Sequence, residues 1–291
     1  MKMDESRIRF GPAGIPDGFY KQGNDSSIEM PIWLNRMGLD AFEYQCGRGV
    51  RIKEPMAIRL HEAATENDIF MSVHAPYYIN LANEDQSKRE KSLDYIMQAA
   101  VAASWIGADR IVVHLGSCST VSRKKAMELV AQEIRNVIAL LKDRGLYHIH
   151  ICPETMGKIN QFGTLEEIVE ICRIDESLIP AVDFGHLYAR GKGALNSTEA
   201  FDEIMGQIEN ALGKERLKVL HCHFSKVEFT NGGEKRHVML QDADFGPDFE
   251  KLAAVIASRV MTPVIICESH EDMAEQALIL KRMYLKALAG E

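Results

Sequence analysis

The sequence predicts an α/β fold, a closed (β/α)8 TIM barrel over residues 1–291 as a single domain, and three observations predict it. Short apolar runs rich in Val, Ile and Phe alternate with longer segments of helical spacing from end to end. Eight such alternations fit into 291 residues, and single α/β barrels typically run to about 250 residues. No Pro/Ser-rich linker, low-complexity tract or charge block divides the chain. An open doubly wound sheet would carry a Gly-rich phosphate-binding turn after its first strand. Residues 10–18, FGPAGIPDG, match neither the dinucleotide fingerprint nor the P-loop.

Taken in order, the expected strands are residues 8–10, 41–45, 69–74, 110–114, 148–154, 179–183, 218–223 and 264–268, each a short apolar run bounded by polar or Gly-containing breaks. Between them, residues 87–105, 122–144 and 273–288 carry helix formers with apolar positions three and four apart. The 34 Lys and Arg against 42 Asp and Glu give a net charge of −8, which argues against nonspecific coating of nucleic acid. No apolar run reaches the roughly 20 residues of a membrane span, and the start MKMDESRIRF lacks the apolar core of a signal peptide. The expectation is a cytoplasmic monomer that does not engage membranes. Its six widely spread cysteines, with no CxxC, read as reduced thiols.

The chemistry stands at the strand ends. Six consecutive expected strands finish in a metal-ligand type: His74, His114, Glu154, Asp183 with His186 beyond it, His221 with His223, and Glu268. They are roughly 30 to 50 residues apart, about one βα unit each, and a barrel gathers its C-terminal strand ends at one mouth. A lone His or Asp there is more often a satisfied loop residue or helix cap. Six in a row are different, because crowded carboxylates and imidazoles are costly unless a cation compensates. Imidazole with carboxylate and no thiolate suits Zn2+, Mn2+ or Fe2+. More ligands than one ion needs imply at least two ions, some bridged by a carboxylate, and paired ions commonly serve phosphate-ester hydrolysis. Of the remaining histidines, His148 and His150 read as structural and His61 as a surface-helix residue. His223 and His270, each two residues beyond an expected ligand, stay open as groups that orient one.

These motifs resemble the endonuclease IV family of zinc-dependent apurinic/apyrimidinic endonucleases, within the xylose-isomerase-like barrels. The similarity runs from about Ile69 to Glu268. HAPYYINL resembles the family's third-strand motif with His74, Tyr77 and Asn80; His114 in HLGS, Glu154 in PET and the Asp183/His186 pair of DFGH match further ligands. In HCHFSK the family pattern aligns with His221 as ligand and Lys226 beside phosphate, with His223 a competing choice. The resemblance implies one ion on His74, His114 and Glu154, a second on Glu154, Asp183, His221 and Glu268, and a third on His186 and the loop after strand seven. There the family's Asp-x-His is replaced by EKRH, with Lys235 two before His237, so a carboxylate is lost or supplied by Glu234 in a shifted geometry.

The implied activity is hydrolysis of the phosphodiester 5′ to abasic sites in damaged double-stranded DNA, with two to three zinc ions, Glu154 bridging and Glu268 orienting the attacking water. Tyr77, Asn80, Arg190 and Lys226 are the implied DNA contacts, with basic mouth-side loops at Arg48, Arg51, Lys53, Lys192, Lys235 and Arg236. A sugar isomerase or epimerase of the same superfamily is the main rival. It needs only Glu154, Asp183, His221 and Glu268 around one ion, and leaves three further imidazoles without a use. A barrel that binds damaged DNA without turnover is the other rival.

Overall fold

Strand β1 (Arg9–Pro12) leads through α1 (Asp17–Lys21), a 3-10 turn (Ser27–Glu29) and α2 (Met30–Met37) into β2 (Ala41–Gln45). The alternation continues with α3 (Glu54–Glu66), β3 (Phe70–His74), α4 (Gln86–Ile106), β4 (Arg110–Val113), α5 (Arg123–Asp143), β5 (His150–Pro153), α6 (Leu165–Cys172) and β6 (Ala181–Asp183). Helices α7 (Phe184–Arg190), α8 (Thr198–Leu212) and α9 (Lys214–Lys218) precede β7 (His221–Phe224). An antiparallel pair, β8 (Lys226–Thr230) and β9 (Gly233–Val238), then α10 (Phe249–Ser258), β10 (Val264–Cys267) and α11 (Met273–Ala289) complete the chain. The computed structural model describes residues 7–290; residues 1–6 and 291, the ends of the expected 1–291 domain, lie outside it.

The barrel strands are parallel, in two arcs ordered β1-β10-β7-β6 and β2-β3-β4-β5. Single bridges close the seams, Ala13 to Glu43 and Glu154 to Ala181. At the first seam the backbones approach so closely that a Cβ on Gly11 would lie 1.8 Å from the Ala41 carbonyl oxygen, so only glycine fits. At the second, Thr155 Oγ1 accepts from the Asp183 amide at 2.9 Å, stitching β5 to β6 beyond the last ladder bond.

Strand alternation sorts the core into two zones. Outward residues such as Phe10, Phe42, Ile111 and Val182 pack beneath the helices in one large apolar cluster. Inward residues form two small clusters, Ala13, Ala41, Phe70, Val264 and Ile266 on one side and Val112, Cys152, Ile179 and Ala181 on the other. Helix ends follow local chemistry: Ser122 caps α5 and Thr164 with Glu167 forms a capping box on α6. All six cysteines are free thiols. Among the described residues no helix is long and apolar enough to cross a membrane.

Two segments depart from the sequence expectation. Residues 218–220 are not strand: Gly213 ends α8, the short helix α9 follows, and β7 begins at His221 and runs to Phe224. The expected loop after strand seven is a hairpin, turned at Asn231-Gly232, a dipeptide suited to tight reversals.

Candidate metal centre

Because β3, β4, β5, β6, β7 and β10 run parallel, their C-terminal ends place His74, His114, Glu154, Asp183, His223 and Glu268 around one mouth. Glu154 is fully buried and uses both oxygens. Its Oε2 lies 2.8 Å from His114 Nε2 and 3.4 Å from His74 Nε2, while Oε1 lies 3.3 Å from His223 Nδ1. Two imidazoles are aimed from behind. His74 Nδ1 lies 2.8 Å from the Ala75 carbonyl and His186 Nδ1 2.8 Å from that of Thr155; each Nδ1–H donates there, leaving Nε2 bare as a ligand atom.

Four groups of ligand atoms result. His74, His114 and Glu154 form the first, Glu154, Asp183, His223 and Glu268 the second, His186, Glu234 and His237 the third, and Glu43, His221 and His223 a fourth beneath the mouth; within each, the atoms lie within 4.8 Å of one another. Glu154 belongs to two of them, one oxygen to each side. Asp183 combines a cap with a ligand position. Its Oδ1 accepts from the His186 amide at the start of α7, and its Oδ2 is buried without a hydrogen-bond partner.

The third group depends on a β-bulge. Register runs Val227 to His237 and Glu228 to Arg236, but Phe229 then faces Glu234, leaving Lys235 as the extra residue. Without the bulge, positions three apart would point to opposite faces. With it, Glu234 and His237 share one face, and Glu234 Oε2 comes to 3.4 Å from His186 Nε2. Glu234 thus stands beside His186 and His237 where no carboxylate occupies position 235, while Lys235 pairs with Glu228. Gly157 makes room: a Cβ there would sit 2.6 Å from Glu234 Cβ.

The electrostatics call for cations. Burial alone would raise the carboxyls of Glu154 and Glu268, yet the facing imidazoles hold Glu154 well below its ordinary range and Glu268 at about 2. Asp183, with burial and neighbouring carboxylates against it, is raised. Burial would make the imidazoles shed protons, yet the carboxylates hold His74 and His223 above their ordinary value and His186 at about 9. Opposed charges crowded this closely are the setting in which bound cations or protons balance carboxylates. The partnerless oxygen Asp183 Oδ2, with only imidazole and carboxylate donors around it, fits borderline divalent ions.

A cavity of about 530 Å3 opens onto the centre, lined by His74, His114, His186, His237, Glu268 and Tyr77 among others. Tyr77 is half exposed, its ring 5.0 Å from that of His74 and its hydroxyl donating to Gln45.

Several expected positions land elsewhere. His221 sits one layer below the mouth, its Nε2 2.9 Å from Glu43 Oε2, and His223 takes the place beside Glu154, Asp183 and Glu268. The reason is strand placement: β7 ends later than expected, and His223 rather than His221 is in register with Asp183. Asn80 Oδ1 accepts from the Ala82 and Ser117 amides and braces its loop. Arg190 donates to the carbonyls of Met156, Lys158, Ile159 and Gln161, and Lys226 Nζ donates to that of Asp242. These three polar groups are spent inside the protein. His270 is a surface residue beside Glu271. Sequence reasoning missed Glu43, fully buried in the middle of β2; its signal is a carboxylate at an inward position of an apolar strand.

The model of the xylose isomerase-like TIM barrel family matches residues 32–286. An uncharacterized protein of Methanocaldococcus jannaschii is 31% identical over 277 residues, 95% of this chain and 97% of that protein. The probable endonuclease 4 of Mycoplasma pneumoniae is 30% identical over 208 residues, 69% of this chain and 68% of that one. Among solved structures, endonuclease IV from Thermus thermophilus superposes with a TM-score of 0.65 at 21% identity, covering 91% of this chain and 95% of that one. A D-tagatose 3-epimerase-like protein superposes with 0.69 at 19% identity, covering 87% and 90%. At such identities both structures speak to the fold alone. With a family model spanning most of its length and an endonuclease 4 relative across two thirds of it, this chain belongs to the xylose isomerase-like TIM barrel family, in a divergent branch of its endonuclease IV group.

Proposed function

We propose that this protein is a metal-dependent endonuclease that hydrolyses the phosphodiester 5′ to abasic sites in double-stranded DNA, acting as a cytoplasmic monomer with three zinc ions; Mn2+ and Fe2+ also suit the donors. The observation that carries the reading is Glu154 spanning two ligand groups, with Glu234 and His237 completing a third. One ion suffices for a sugar epimerase of this fold, and the second group alone would hold it. His74, His114, His186 and His237 would then line the cavity without a task.

Divalent ions in these groups would supply Lewis-acid stabilisation of charge developing on a phosphate and lower the pKa of water. Glu154, which belongs to two of the groups, would be shared between their ions. Glu268, on the cavity wall and held as a carboxylate by His223, would orient the attacking water. The exposed Tyr77 face offers a stacking surface for a base or sugar beside the reacting phosphate.

The test is nicking of a duplex oligonucleotide with one abasic site, with zinc or manganese and a chelator control. The expected result is metal-dependent cleavage 5′ to the lesion leaving a 3′ hydroxyl, lowered by at least about 100-fold in Glu154→Gln. Absence of nicking by demonstrably metal-loaded protein, with epimerisation of a ketose instead, would overturn it.

A further inference from the structure

Beneath the ligand groups the barrel interior is polar where most of its neighbours are apolar. Glu43, Ser72 and His221 are each fully buried at inward positions of β2, β3 and β7, in a layer otherwise filled by Val112, Cys152, Ala181 and Ile266. A carboxylate in such a place is costly unless its acceptor sites are filled. They are. Glu43 Oε2 accepts from Ser72 Oγ at 2.9 Å and from His221 Nε2 at 2.9 Å. Its Oε1 accepts from Gln45 Nε2 at 3.2 Å and lies 3.1 Å from His223 Nε2. That last approach is short but not aligned as a hydrogen bond.

His223 therefore has two distinct sides. Nδ1 is hydrogen-bonded to Glu154 Oε1 at 3.3 Å and lies 3.4 Å from Glu268 Oε1, where an ion of the second group would take the place of the shared proton, and Nε2 faces Glu43 Oε1 at 3.1 Å. We propose that Glu43, held in place by Ser72, Gln45 and His221, is a positioning residue that fixes His223 as the Nε2–H tautomer and so presents a bare Nδ1 to the ion of the second ligand group. Buried carboxylates behind ligand histidines set tautomer and ring orientation in this way. Glu43, His221 and His223 have the spacing of a further ion site, but His221 meets Glu43 Oε2 at hydrogen-bond length and stands apart from Glu154, Asp183 and Glu268, so it is assigned here as a strut for Glu43 and not as a ligand. The inference rests on the metal-centre reading, and is independent of which reaction the centre performs.

Two measurements test it. The first is competitive zinc titration with a chromophoric chelator on wild type, Glu43→Gln and Asp183→Asn. A glutamine offers one acceptor oxygen where two imidazole N–H groups need one each. The expected result is an affinity loss of about 10- to 100-fold confined to one ion in Glu43→Gln, the same ion that Asp183→Asn weakens. The second is the imidazole 15N spectrum of zinc-loaded wild type, which reads which nitrogen of His223 binds the ion and which carries the proton, with His223 assigned by a His223→Gln variant. It does so even if Glu43→Gln does not fold, and the proton is expected on Nε2. Unchanged affinities for every ion in Glu43→Gln would overturn the proposal, as would a proton on Nδ1. A fourth ion in wild type that Glu43→Gln abolishes would also overturn it, by making Glu43 a ligand. Wild type that takes up no divalent ion would instead sink the metal-centre reading itself.

Discussion

Glu234 shows how much one side chain depends on its backbone. It reaches His186 only because the bulge at Lys235 turns it to the face of His237, and because Gly157 leaves space beneath it. Glu234→Ala should remove one ion of three, read as metal per protein after dialysis against trace zinc, and should leave the fold intact because the side chain lies at the cavity wall. Full stoichiometry in that variant would exclude Glu234 as a ligand. Arg190 teaches the opposite lesson. A basic residue in a mouth-side loop looks like a phosphate contact, yet its guanidinium is consumed by four carbonyls of the β5–α6 connection, so its charge holds the loop that carries Gly157.

At the scale of elements, polar clamps on the helical shell fix how helices meet the strands. Asp175, in the turn between α6 and β6, accepts from Tyr147 Oη at 2.6 Å and from the amide and hydroxyl of Ser177, and faces Lys142 at the end of α5. Burial alone would raise its carboxyl, but these donors prevail and hold it at about 2, against 3.8 ordinarily. The folded value is depressed, so the clamp contributes in full above the ordinary value and is lost as pH falls toward about 2. Tyr147→Phe should cost about 1 kcal/mol at neutral pH, since the bond goes to a charged acceptor at a partly exposed site. The gap in urea midpoint between wild type and variant should narrow as pH is lowered from about 5 to about 2. A gap that stays constant over that range would show that Tyr147 does not act through the Asp175 charge.

For the whole molecule, the barrel interior couples stability to metal. Four buried or nearly buried carboxylates, Glu43, Glu154, Asp183 and Glu268, share one end of the barrel with the imidazoles, and ions bound only by the folded state stabilise it by mass action. Stripping metal with a chelator should lower Tm by about 5 °C or more, restored by added zinc. An unchanged Tm after verified removal would mean that the ligand groups are balanced by protons alone.

The chain's periodicity carries the order of strands and helices, the parallel barrel and most of the residues gathered at its mouth, because alternation of side chains along a strand is a local property that neighbouring residues specify. His74, His114, Glu154, Asp183 and Glu268 stand out for that reason: each closes an apolar run. What depends on distant partners was decided only by the tertiary structure. Whether His221 or His223 faces the mouth turns on where β7 begins, and α9 moves that start to 221. Glu43 gains meaning only from His221 and His223, which lie far along the chain but across one barrel. Glu234 joins the third group through a register shift that spacing alone does not reveal, and Asn80, Arg190 and Lys226 are occupied by backbone groups from other segments. Local pattern dictates which way a side chain points, and the closure of the barrel dictates what it meets.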